Sequence, residues 1–300
     1  MKQGDWNGVF PAITTPFRDG LAVDFDFLGE HVAWLLDKGC AGIVALGSLG
    51  EAATLSFDEK LAVLETCRAA AKGRAPIVAG IAGLSTAECV ALARGAEKSG
   101  CDGLMVLPAY VYRGDARETE AHAAAVLDAT PLSCMLYNNP IAYGTDYLPG
   151  QIASLARRHP NLHAVKESAG DVRRVTAIRE LAVDRLALFV GVDDLIVEGI
   201  AAGAVGWIAG LVNAFPAESV LLFDLALRGD HEEARRLYEW FLPLLRLDTV
   251  PKFVQLIKLV QQEVGRGSER VRPPRLPLAG EEREAAFEII RAAIRSRAVL

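Results

Sequence analysis

Eight short apolar runs recur at residues 8–14, 42–46, 76–81, 103–107, 132–137, 163–167, 186–190 and 204–209, and no other feature constrains the fold so strongly. Each is the length of a strand buried on both faces. Between most of them lie alanine- and leucine-rich amphipathic stretches, at 26–38, 57–71, 86–99, 119–129, 149–158 and 172–181. Parallel strands need a crossover of about a dozen residues, usually a helix, and these stretches supply that length. Gly39, Gly73, Gly100 and Gly203 fall near the helix ends, where a left-handed cap accommodates glycine. Strand-helix alternation repeated eight times predicts an α/β fold, the (β/α)8 TIM barrel. An open doubly wound sheet is the alternative, but the glycine-rich dinucleotide fingerprint is missing.

Helical patterns continue at 217–227, 231–245, 250–264 and 281–297 with no long flexible linker before them. The expected organisation is a catalytic barrel over 1–216 and a C-terminal helical extension over 217–300, packed on the barrel as part of the same unit. At 300 residues and 51% hydrophobic composition, the chain has enough apolar surface for such a core. The net charge of -6 arises from interspersed residues without a long like-charge block, so neither nucleic acid nor an anionic membrane is an expected partner. Cys40, Cys67, Cys89, Cys101 and Cys134 are far apart and odd in number, which argues against a disulfide framework or a zinc knuckle. The first residues lack an apolar core leading to a cleavage site, and a cytoplasmic protein is expected. The uncharged stretch 199–217 holds five glycines or prolines and Asn213, so it reads as a helix end, a buried strand, a loop and a helix start rather than a membrane span.

In a barrel of this kind, the C-terminal strand ends carry the chemistry. The sixth run ends in His163-Ala164-Val165-Lys166-Glu167-Ser168. A lysine amine pointing inward from a strand loses hydration, its pKa falls, and the neutral form can attack a carbonyl to make an imine. A lysine at an ordinary strand end reaching out to solvent has the same local sequence. The fifth run delivers Tyr137-Asn138-Asn139-Pro140 beside it, and a tyrosine next to an imine-forming lysine can move the protons that carbinolamine collapse requires. A purely aromatic packing role is the other reading. The second run ends in Gly47-Ser48-Leu49-Gly50-Glu51, a turn whose amides and Ser48 hydroxyl suit an anion, although a simple strand-to-helix turn has the same composition.

Taken together and in order, several segments resemble the dihydrodipicolinate synthase and N-acetylneuraminate lyase family of Schiff-base lyases. They are Gly8-Val9-Phe10-Pro11-Ala12-Ile13-Thr14-Thr15-Pro16-Phe17, Gly47-Ser48-Leu49-Gly50-Glu51, Tyr137-Asn138-Asn139-Pro140, Val165-Lys166-Glu167-Ser168, Gly191-Val192-Asp193-Asp194 and Asn213-Ala214-Phe215-Pro216. The resemblance implies a class I lyase with Lys166 as the imine-forming residue, Tyr137 as proton shuttle, Ser48 in the hydroxyl relay and Tyr110 as the tyrosine passed across a dimer interface. It also implies Ser48, Leu49, Gly191 and Ile208 around a small 2-oxo acid or cyclic imine carboxylate. No metal or organic cofactor is implied, and the expected assembly is a homo-oligomer, a dimer of dimers.

Departures from the family pattern bear on substrate. Synthases of this family usually show an arginine shortly after the tyrosine motif, where this chain has Ile141-Ala142-Tyr143-Gly144, and Leu49 replaces a threonine of the glycine-rich turn. Ala142 cannot make a bidentate carboxylate contact. Leu49, Ala142, Ile208 and Leu211 also suit a polyhydroxylated sugar acid poorly. The segments 109–113, 206–216 and 266–270 look most like family members that deaminate 1-pyrroline-4-hydroxy-2-carboxylate to 2-oxoglutarate semialdehyde and ammonia in hydroxyproline degradation. Dihydrodipicolinate synthase, or another 2-oxo-acid aldolase or dehydratase, is the alternative, and a non-catalytic regulatory barrel binding a 2-oxo acid is the alternative of another kind. His122, His159, His163 and His231 lack metal-ligand spacing. Asp193 and Asp194 read either as acid/base groups or as helix caps, and Trp207 is expected near the barrel mouth.

Overall fold

The computed structural model describes residues 1–297, so the last three residues of the 217–300 extension lie outside it. Eight strands are present: β1 (Gly8–Pro11), β2 (Ile43–Ala45), β3 (Ile77–Ile81), β4 (Gly103–Val106), β5 (Ser133–Asn138), β6 (Leu162–Glu167), β7 (Ala187–Val190) and β8 (Gly206–Ala209). All pair in parallel in the order β1-β8-β7-β6-β5-β4-β3-β2. An Ala12–Val44 bridge joins the two end strands, with Ile13 N–H donating to Val44 O at 2.9 Å, and this closes the barrel. Strand residues are almost all buried, as expected for parallel strands covered by helices outside and packed side chains inside. Phe10 and Phe189 meet edge-to-face at 5.6 Å within the barrel, and Trp6 packs against both from the N-terminal end.

The crossover helices are α1 (Phe25–Asp37), α2 (Phe57–Ala71), α3 (Thr86–Lys98), α4 (Ala116–Leu127), α5 (Pro140–Tyr143), α6 (Pro149–Arg158), α7 (Arg173–Ala182) and α8 (Ile196–Ala201). Three details differ from the sequence expectation. The first strand is shorter than 8–14, because Thr14 and Thr15 turn away to Gln261 Oε1 and Gly50 O. Helix α4 starts at Ala116 rather than 119, because Asp115 and Glu118 form a reciprocal capping box. The extra turn α5 forms because Asn139 caps Ala142 N–H at 2.9 Å and Pro140 suits the first helical position.

The C-terminal helices are α9 (Pro216–Arg228), α10 (His231–Leu245), α11 (Phe253–Glu263) and α12 (Gly280–Arg295). Helix α9 packs on β1 and α10 packs on α9. A buried ion pair, Lys258 Nζ to Glu51 Oε1 at 2.5 Å, ties α11 to the turn after β2. Arg272 N–H donates to the other Glu51 oxygen, and Lys258 also donates to Arg270 O, so each member of the pair has a further hydrogen-bond partner. No helix among the described residues is long and apolar enough to cross a membrane.

Candidate active site

Strand register builds the site. Lys166 on β6 pairs with Tyr137 on β5 and with Phe189 on β7, so the three share one row across the sheet. The sequence permitted a solvent-seeking lysine, but Lys166 is 7% exposed, with its amine 4.1 Å from the centroid of the Tyr137 ring. Burial lowers the Lys166 pKa to about 8, opposed first by the charge of Asp248 and then by that of Asp193. Glycine at 191 leaves the space that the lysine occupies, since a Cβ there would overlap Lys166 Cε and Ser168 Oγ.

Tyr137 is equally buried, and its phenol is pushed up to about 12 by loss of hydration. Asn139 Nδ2 donates to the phenol oxygen at 2.9 Å and partly offsets that rise. Across the mouth, Ser48 Oγ hydrogen-bonds the hydroxyl of Tyr143 on α5. The Tyr143 ring stands edge-on to Tyr137 at 5.9 Å and stacks on Tyr110 at 5.5 Å. Burial holds both outer phenols protonated. The result is a buried amine facing one tyrosine, with two further phenols and a serine hydroxyl behind it, a set suited to moving protons around a lysine-bound carbon.

Residues 5–293 match the family described as dihydrodipicolinate synthetase. The chain belongs to this family. It is 32% identical to the 4-hydroxy-tetrahydrodipicolinate synthase of Pelobacter propionicus, over 95% of this chain and 98% of that protein. It is 35% identical to the enzyme of the same name from Methanospirillum hungatei, over 80% and 83%. Among solved structures, a dihydrodipicolinate synthase at 30% identity superposes with a TM-score of 0.90, over 96% of this chain and 99% of that one. A Bacillus anthracis dihydrodipicolinate synthase superposes at 0.92 with 27% identity, over 97% and 99%. As a family member the protein is a class I lyase, acting through a covalent lysine imine without a metal or organic cofactor.

The strand ends of this dihydrodipicolinate synthetase family member gather Lys166, Tyr137, Ser48 and Tyr110 around one mouth. Tyr110, expected to pass to a partner subunit, stacks on Tyr143 of its own chain. Ile208 on β8 and Leu49 in the turn after β2 are buried, and Ala142 is exposed on α5. Asp193 does not cap the helix after β7: it is itself the first residue of the short 3-10 turn there, and its carboxylate reaches across to the end of β8. Its carboxylate accepts from the Trp207 indole at 3.0 Å, from Gly210 N–H at 3.1 and 3.2 Å and from Leu211 N–H at 2.8 Å, which ties the ends of β7 and β8 together. His122, His159 and His163 bond Thr86, Asp128 and Ser133 respectively, and the described residues contain no group of three side chains able to hold a metal.

Two site residues escaped the sequence reading. Tyr143 lies just beyond Ala142, and the unexpected turn α5 brings its ring over Tyr137. A phenol six residues past Tyr137 was the available signal. Asp248 comes from the tail, far from any strand end in sequence, and nothing local marks it.

Proposed function

We propose that Lys166 forms the imine, that Tyr137 moves the protons, and that the natural substrate is a small 2-oxo acid or its cyclic imine, 1-pyrroline-4-hydroxy-2-carboxylate. The register pairing of Tyr137 with Lys166, with the amine 4.1 Å from the ring centroid, carries the lysine-tyrosine part of this reading. Ala142 and the aromatic mouth favour a substrate with one carboxylate, because no guanidinium stands at position 142 to hold a second one. In the proposed reaction Lys166 attacks the ring imine carbon and the ring opens, leaving a primary amine on the far carbon. Proton removal next to the new imine gives an enamine that expels the 4-hydroxyl as water, and proton shifts then move the new C=C to the amine-bearing carbon and convert that amine into a second imine. Hydrolysis at both ends then releases ammonia, 2-oxoglutarate semialdehyde and the free lysine. A homo-oligomer built from tight dimers accords with the exposed Val111 and Tyr112 on the loop after β4 and the exposed Ile141 on α5.

Synthesis of 4-hydroxy-tetrahydrodipicolinate is the second reading, favoured by the names of relatives at 32–35% identity. Specificity constants for the two reactions, measured in one buffer at one enzyme concentration, separate them. Ammonia and the semialdehyde from hydroxypyrroline carboxylate, with negligible condensation of pyruvate and aspartate semialdehyde, is the expected result. The reverse ranking refutes the deaminase assignment and leaves the lysine-imine barrel standing.

A further inference from the structure

The turn after β2 that carries Ser48 and Leu49 is bracketed by two residues in an uncommon backbone conformation. Leu46 before it has φ 63° and Glu51 after it has φ 53°, both in the left-handed region that residues other than glycine rarely occupy. Such a residue stays there only where its surroundings hold it. At the first end the barrel does so. The Leu46 carbonyl lies against Gly80 on β3, where a Cβ would come within 2.6 Å of its oxygen, so only glycine leaves room for it.

At the second end the tail takes part. Glu51 N–H donates to Ser48 O at 3.1 Å and closes the turn. Local ties act on carbonyl oxygens: Thr54 N–H donates to Glu51 O at 2.8 Å, and the Thr15 hydroxyl donates to Gly50 O at 2.6 Å. The Glu51 carboxylate is fully buried and turns instead to residues 207 and 221 positions later. Lys258 Nζ on α11 meets one oxygen at 2.5 Å, Arg272 N–H donates to the other at 3.0 Å, and the Arg275 guanidinium stands 3.9 Å from it. Lys258 is itself buried, with its amine 4.3 Å from the centroid of the Phe17 ring. Neither member of the pair can turn to water, so loss of the cation leaves an unpaired charge that drives Glu51 out of place. A shift of Glu51 passes through its bond to Ser48 and on to the Ser48–Tyr143 hydrogen bond across the mouth.

We propose that Lys258 is a positioning residue for substrate binding. Through Glu51 it fixes the turn so that the Ser48 hydroxyl and the neighbouring amides stand ready for a small 2-oxo acid, and α11 sets affinity without touching the substrate. Lys166 and Tyr137 stand on β6 and β5, neither of which pairs with β2, so their register does not depend on the turn. Loss of the ion pair therefore weakens binding and spares imine formation. The proposal rests on the reading of Ser48 and Leu49 as substrate contacts.

Borohydride trapping at Lys166 over a range of pyruvate concentrations yields two separate quantities, the half-saturating concentration and the limiting trapping rate. Lys258→Met combined with Glu51→Gln removes the pair without stranding a charge. Ser48→Ala tests the turn itself, and Ile290→Ala, on the buried face of α12, destabilises the tail away from the pair. The double variant should raise the half-saturating concentration about tenfold, the effect of about one hydrogen bond to substrate, with the limiting rate within about twofold of wild type. Ile290→Ala should lower the melting temperature and leave half-saturation unchanged. Unchanged half-saturation in the double variant, with a rise in Ser48→Ala, overturns the proposal. So does an equal rise in Ile290→Ala, which would mean that destabilising the tail is enough, or a lost limiting rate at unchanged half-saturation. Unchanged half-saturation in Ser48→Ala removes the reading of the turn as a substrate contact and the proposal with it.

Discussion

Restoring a guanidinium at position 142 gives the sharpest test of substrate choice. Ala142 is exposed on the one-turn helix α5, and its N–H is already capped by Asn139, so Ala142→Arg changes the mouth without filling a packed space. A surface change of this kind alters stability by about 0.5 kcal/mol at most. The new side chain would extend beside Tyr143, whose ring covers Tyr137, and could hold the carboxylate of an incoming aldehyde. A hydrogen bond to a charged group contributes about 1.5–3 kcal/mol, so a fork of two on a partly solvated site adds about 3 kcal/mol. At about 1.4 kcal/mol per decade, the specificity constant for condensing pyruvate with aspartate semialdehyde should rise about a hundredfold over wild type. Deamination of hydroxypyrroline carboxylate should gain nothing, because that substrate has one carboxylate and no partner aldehyde. Steady-state kinetics on both substrates, with thermal melts to confirm the fold, provide the assay. A wild-type enzyme that already condenses aspartate semialdehyde efficiently, or a variant with no gain, would refute the argument that position 142 sets substrate class.

Tyr137→Phe should melt within a few degrees of wild type yet lose about a hundredfold in kcat on the natural substrate, and near-full turnover would remove the proton-shuttle role. Lys258→Met strands Glu51 in the interior and should cost about 3–5 kcal/mol by urea unfolding, with partial recovery in the double variant with Glu51→Gln; a loss below about 1 kcal/mol would mean that the pair does not anchor the tail. His31 is buried and held to about 4, chiefly by loss of hydration, so the unfolded chain binds the extra proton between pH 6.5 and 4 and stability falls as pH drops through that window. Unfolding at pH 4.5 against pH 7 should reveal about 2–3 kcal/mol of acid sensitivity that His31→Gln lacks, and an equal pH response in the two proteins would contradict it.

The barrel was legible in the chain because its eight strands are local apolar runs and its crossovers carry their own 3.6-residue pattern, both properties of neighbours in sequence. Lys166 and Tyr137 could be paired for the same reason, since each closes a strand and consecutive strands of a barrel lie side by side. Sequence alone left open whether Lys166 turns inward, because a strand's two faces differ only in what the rest of the fold packs against them. Tertiary structure decided that, and also the fate of Asp193, whose donors come from β8 and the short turn after it rather than from the helix that follows its own strand. Asp248 lies furthest from sequence reading. Its position depends on the path of the tail across the barrel mouth and on a glycine 38 residues earlier that leaves room for its carboxyl, and contacts between distant parts of a chain leave no local pattern to read.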